Sequence, residues 1–178
     1  MSDEPTPSKQ LLTLTELLER PGWTRAGVTR FLGDPDATKP NPRYRSAAPT
    51  RLYGPARVEA TEATPEFGSW RAASEARSAK AAQAAAIERL TPGLSFRQAY
   101  ALAREVFAKE GVAEHFTHSL GHGIGLETHE GPSLNPSAEG LLEPGMVVTV
   151  EPGLYYPEWG GARWEHMALI TENGCEIL

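Results

Sequence analysis

Residues 118–130 read HSLGHGIGLETHE and bring His118, His122 and His129 together with Glu127 and Glu130. Two more carboxylates stand in apolar runs downstream. GMVVTVEPGLY places Glu151 at the end of a strand pattern, just before a Pro-Gly turn. GGARWEHMALIT places Glu165 inside a second strand pattern, flanked by Trp164, Met167, Ala168 and Leu169. A carboxylate among such neighbours is costly to bury alone and needs a cation, an arginine or a metal. His122 with Glu151 and Glu165 gives one imidazole and two carboxylates, a set suited to a borderline-hard divalent ion such as Mn, Co, Zn or Fe. The interleaved Gly121, Gly123 and Gly125 let the backbone bend and approach closely. Glu127 and Glu130 read as solvated or turn-forming residues rather than ligands.

These residues need elements to hold them. Ser69–Leu90 is rich in Ala and long straight-chain residues, with no internal Gly or Pro, and predicts a helix. Ser95 is placed to cap a second helix, in which Phe96, Ala99, Tyr100, Ala103, Val106 and Phe107 form one apolar stripe. Gly111 is its natural stop. MVVTVEPGLYY and ARWEHMALIT then predict β-structure. Two helices followed by strands make an α+β unit over 68–178.

Three phrases of this unit, HSLGHGIGLETHEGP, LLEPGMVVTVEPGLYYPEWGG and ARWEHMALITENGCEIL, occur in one order and spacing. In that order they resemble the pita-bread metallopeptidases of the Xaa-Pro aminopeptidase and prolidase branch. The resemblance covers about the last 105 residues and implies a half pita-bread domain. It implies metal ligation by His122, Glu151 and Glu165, with Glu165 also positioning the attacking water. It implies catalytic contacts from His118 and His129, and support of the ligand network by Arg163. The implied chemistry is metal-assisted hydrolysis of the bond before proline, so a proline-containing peptide is the expected partner. The family's first two ligands are aspartates on an upstream hairpin. This chain has only Asp3, Asp34 and Asp36, none on a strand pattern. A two-metal site is therefore not expected. Three remaining ligands leave room for one divalent ion (Mn, Co or Zn), with peptidase activity weak or lost.

The preceding residues look different. After a polar tail (1–10), residues 11–67 give two short apolar-periodic stretches separated by Pro21-Gly22. Thr13 or Thr15 is suited to cap the first and Thr24 the second, where Val28, Phe31 and Leu32 share a face. The NPRYRS loop and the RLYGPARVEA segment follow. This outline resembles small winged-helix modules of the MerR and excisionase type. Arg25, Arg30, Arg43, Tyr44, Arg45 and Arg51 would then face phosphates. Between Arg20 and Arg57, eight basic residues stand against Asp34 and Asp36, whereas 68–178 carries eight basic and fourteen acidic residues. That asymmetry separates two parts with different partners, DNA being the one expected for 20–57.

The expected whole is α+β, a helix-turn-helix or winged-helix-like module followed by half a pita-bread domain. The alternative reading is a non-catalytic pseudo-peptidase that binds DNA, dimerises or senses a ligand. An open sheet left by a half domain predicts a homodimer. No apolar run reaches the roughly 20 residues that span a bilayer. Cys175 is the single cysteine, and no secretory pattern opens the chain, so a cytoplasmic location is expected.

Overall fold

The computed structural model describes residues 10–42 and 47–178. The chain divides between Arg71 and Ala72 into two compact units.

In the first unit, β1 (Leu12–Thr13) leads into α1 (Leu14–Leu18). Thr13 caps α1: its hydroxyl accepts the Glu16 N–H at 3.3 Å, and the Glu16 carboxylate accepts the Thr13 N–H at 2.7 Å. Gly22, at φ +78°, makes the break. Thr24 then caps α2 (Arg25–Gly27), accepting the Gly27 N–H at 3.0 Å. The predicted second helix does not stay α-helical, since Val28–Leu32 continues as a wider π turn ending at Gly33. β2 (Ala37–Lys39) and β3 (Thr50–Tyr53) form a hairpin, and β1 pairs with the other side of β3. α3 (Pro55–Glu62) follows, with Pro55 in its first turn. Leu17, Trp23, Val28, Leu32, Tyr53, Val58 and Phe67 make the core of this unit. Arg20 and Trp23 both donate to the Glu62 carboxylate, fixing α3 to the helical break.

Helix α4 runs from Pro65 to Ile87, so the helix expected from Ser69 starts a turn earlier. Gly68 is accommodated within it, and Pro65 occupies the first turn, where a missing N–H costs nothing. α5 (Phe96–Glu110) has the predicted limits. Ser95 and Gln98 form its capping box, and Gly111 ends it at φ +75°. The predicted stripe is buried apart from Val106, which is partly covered, and Leu102 joins it.

Five antiparallel strands complete the second unit in the order β10-β9-β6-β4-β5. They are β4 (Gly121–Gly123), β5 (Glu130–Leu134), β6 (Val147–Val150), β9 (His166–Thr171) and β10 (Gly174–Ile177). A separate hairpin pairs β7 (Gly153–Tyr156) with β8 (Gly160–Arg163). The run MVVTVEPGLYY is thus two strands in two sheets, divided at Glu151-Pro152. Val148, Val150, Ala168 and Ile170 pack with α5 residues in one core. The buried Gln83 of α4 donates to the Val150 carbonyl at 2.9 Å.

Candidate functional site

The site lies where β4 meets β6. Gly121 and Gly123 are buried on either side of His122, and the His122 N–H donates to the Thr149 hydroxyl at 3.0 Å. That hydroxyl in turn donates to Glu151 Oε1 at 2.8 Å. Glu151 follows β6 directly and is 6% exposed. Its other oxygen, Oε2, accepts from Arg163 Nη1 at 2.6 Å. Arg163 ends β8, where it pairs with Gly153, and its Nε donates to the Tyr155 hydroxyl at 2.7 Å. The buried carboxylate predicted to need a cation has one, and it is this arginine.

His122 Nε2 stands 3.2 Å from Glu151 Oε1. On the ring's far side, Nδ1 is 2.8 Å from the Gly123 carbonyl. A carbonyl only accepts, so Nδ1 carries a proton. Nε2 then has a proton to offer Glu151 only in the imidazolium form.

His118 and His129 flank this pair. The His129 ring is 4.5 Å from that of His122, edge-on, at the end of an exposed loop. His118 gives its Nδ1 proton to the Ser119 carbonyl at 2.8 Å, which leaves Nε2 with a lone pair. Nε2 is buried without a hydrogen-bond partner. Burial first, then the nearby Arg163 charge, pushes the His118 imidazole below its usual range. Phe116 and Tyr155 hold the ring edge-on at 5.1 and 5.3 Å.

Glu165 departs from expectation. It is exposed and lies between β8 and β9 rather than within a strand. The cause is a change of sheet: β8 pairs with β7, β9 pairs with β6, and Trp164-Glu165 is the step between them. Trp164 fastens that step by donating its N–H to the Pro152 carbonyl at 3.2 Å.

The three-ligand set His122, Glu151 and Glu165 is accordingly not assembled. Among the described residues, no group of three or more His, Cys, Asp or Glu side chains is placed to hold a metal ion. A catalytic divalent ion ordinarily takes three protein ligands. Here His122 Nε2 and Glu151 Oε1 supply two, and Glu151 Oε2 is committed to Arg163. The residues present do not fit a resident metal. Within the first unit, the Asp36 carboxylate accepts from the Gly54 N–H and from Arg57.

Thr149 and Tyr155 were not among the sequence candidates. Thr149 looked like a strand residue, although its neighbourhood to Glu151 at i+2 was a usable signal. Tyr155 acquires its role only through the β7–β8 register. Of the proposed phosphate contacts, Arg25, Arg30 and Arg51 are exposed. Arg51 donates to the Gly33 carbonyl at 3.1 Å, and Arg30 lies over the Phe31 and Trp70 rings. Arg43, Tyr44 and Arg45 lie outside the described residues.

The chain is 50% identical over 97 residues to the uncharacterized peptidase YqhT of Bacillus subtilis. It is 46% identical over 97 residues to the Xaa-Pro dipeptidase of Pyrococcus furiosus. Each alignment takes in 54% of this chain and 28% of the relative, so the chain spans little more than a quarter of those proteins' length. The solved prolidase from Pyrococcus furiosus matches with a TM-score of 0.57 at 42% identity, over 59% of this chain and 31% of that one. Dipeptidase PepE from Mycobacterium ulcerans matches over 90% of this chain and 51% of its own, with a TM-score of 0.57 at 28% identity. The second unit thus has the α+β architecture of the prolidases. No helix among the described residues is long and apolar enough to cross a membrane. Residues 63–172 match the model of metallopeptidase family M24, and the chain belongs to that family.

Proposed function

We propose that the second unit is a prolidase-like half-site that binds proline-containing peptides, with hydrolysis of Xaa-Pro bonds weak or lost. The observation that carries this reading is the His122–Glu151 contact, flanked by His118 and His129 but joined by no third metal ligand among the described residues. His118 Nε2 is an acceptor for a peptide N–H. His129, on its exposed loop, can reach a peptide carbonyl or terminal carboxylate. Tyr155 and the half-exposed Trp164 offer rings to a pyrrolidine. These groups bind and orient a peptide, and none of them supplies an activated water.

The test is a heteronuclear NMR titration with Ala-Pro, with Ala-Ala as control and proline release followed in parallel. Saturable shifts at His118 and His129 with Ala-Pro are expected, without proline release above the buffer rate. Turnover that rises with Mn and vanishes in Glu165→Gln would show that hydrolysis persists. Equal responses to the two dipeptides would remove the proline preference.

A second reading concerns the first unit, and the exposure of Arg25 and Arg30 on one helical stretch favours it, with Lys39 and Arg51 exposed on the β2–β3 hairpin. We propose that this unit contacts nucleic-acid phosphates there. Duplex DNA should bind with an affinity that falls steeply as salt rises, because each neutralised phosphate releases counterions. Arg25→Ala with Arg30→Ala should lower the magnitude of the salt slope by about two. Binding that ignores salt, or is absent at low salt, would end this reading.

A further inference from the structure

We infer that the cleft between α5 and residues 136–141 is a docking site for a short extended peptide that carries carboxylates on either side of an apolar residue. The cleft shares no residue with the His122–Glu151 site, and its volume is about 860 Å³. Ordinary ligand sites measure roughly 300–1,000 Å³, so there is room for a few residues. Tyr100, Ala101, Ala138 and Leu141 give it an apolar lining, which Arg97 and Arg104 share.

Three observations carry the inference. Arg97 and Arg104 lie two turns apart on one face of α5, with about 10 Å of helix rise between them. Both are exposed, and neither guanidinium makes an ion pair or a hydrogen bond among the described residues. Glu105, beside Arg104 in the chain, is already taken by Arg89 at 3.1 Å. The second observation is Tyr100, which is 8% exposed and stacks on Phe116 at 4.9 Å. Its hydroxyl has no hydrogen-bond partner among the described residues, although a hydroxyl on so buried a side chain ordinarily has one. Tyr100 thus brings an unused donor to the cleft that it lines. Finally, Leu141 is 53% exposed on the same cleft, and the small Ala101 between the arginines leaves the floor open.

The walls are held in place by the fold. The Leu142 N–H donates to the Leu94 carbonyl at 2.8 Å and the Phe96 N–H to the Gly140 carbonyl at 3.2 Å, which ties this segment to the start of α5. Asn135 Oδ1 accepts the Ser137 N–H at 2.8 Å and fixes the turn before it. A cleft formed in advance loses little entropy on binding. Charge and polarity then select the ligand. Two guanidiniums without counter-ions match two carboxylates, and the apolar lining between them matches an apolar side chain. A nucleic-acid backbone has the charge but not the side chain, and Glu139 in the same cleft repels it. A peptide suits both, because its N–H groups can donate to Glu139. About three or four extended residues cover the distance between the arginines.

The experiment uses the full chain and the amide of Glu-Ala-Leu-Ala-Glu, labelled at its amino end and followed by fluorescence anisotropy. Gln-Ala-Leu-Ala-Gln and Glu-Ala-Ser-Ala-Glu are the controls for charge and for the apolar residue. The first peptide is expected to bind saturably, and each control about fivefold more weakly or worse. Arg97→Glu and Arg104→Glu should each weaken it about tenfold or more, and Ala101→Trp should abolish binding by filling the floor. Tyr100→Phe keeps the ring and its stack and should weaken binding about threefold. Lys109→Glu makes the same charge change on α5 outside the cleft and should cost less than about twofold. Arg25→Ala with Arg30→Ala, in the first unit, should likewise leave the affinity unchanged. Equal binding of the Glu and Gln peptides, or no saturation up to about 1 mM, would overturn the proposal. So would a loss in Lys109→Glu as large as in Arg97→Glu, or displacement of the peptide by duplex DNA from the chain lacking Arg25 and Arg30. Should Ala101→Trp fail to fold, Arg97→Ala and Arg104→Ala decide, because unchanged affinity in both contradicts the inference.

Discussion

Alanine at position 121 is expected to unfold the second unit or cost it more than about 4 kcal/mol, a loss seen for few single substitutions. The reason is backbone crowding where β4 approaches β6. A Cβ on Gly121 would sit 1.8 Å from the Thr149 carbonyl oxygen, 2.6 Å from its carbon and 2.9 Å from its hydroxyl. Strand backbone cannot swing aside as the end of a side chain can, so β4 and β6 would have to separate. The His122 N–H would then leave Thr149, and Thr149 would no longer orient Glu151. Stability and site fail together. Urea unfolding followed by circular dichroism checks this, with Gly68→Ala as control. Gly68 lies inside α4 with nothing within 4 Å of an added Cβ, so that change should be neutral or stabilising. A Gly121→Ala midpoint within error of the unsubstituted chain would refute the close approach of the two strands.

Phe107→Ala should be the costliest of the ordinary core truncations, at about 3–5 kcal/mol. Phe107 is fully buried and meets Phe116 edge-on at 5.3 Å. Phe116 stacks on Tyr100 at 4.9 Å and sets its edge against His118 at 5.1 Å. The cavity would thus open with one side chain, Phe116, between it and His118 of the candidate site. Beyond the lowered urea midpoint, the His118 ring resonances should broaden or shift as Phe116 relaxes into the space. Phe107→Leu fills most of that volume and should lose less than half as much. Equal losses for the two variants would mean that shape matters more than volume at this position.

Much of this was legible in the residues. The Ser95 cap, the stripe from Phe96 to Phe107 and the Gly111 stop define α5 by local rules alone, and α5 has those limits. Thr13, Thr24 and Gly22 likewise mark the first unit's helices. The position of Glu151 at a strand end was readable because Pro152 stops the ladder. Glu165 was misplaced for a reason that periodicity does not carry: ARWEHMALIT looks like one strand, yet its two halves pair in different sheets. Which cation answers the buried Glu151 was also beyond local pattern. Arg163 is twelve residues downstream, and only the β7–β8 hairpin folds it back.

The strand order has a kinetic consequence. In the five-stranded sheet, the partners farthest apart in sequence are Gly123 and Val148, and β9–β10 and β4–β5 are near neighbours along the chain. Every pairing thus closes a short loop inside residues 121–177, and short loops cost little entropy to close. Such low contact order favours rapid, autonomous assembly. The sheet can form on α4 and α5, which precede it in the chain, as soon as its own stretch leaves the ribosome. A gene segment with that property can be carried into a new setting and still deliver a folded product.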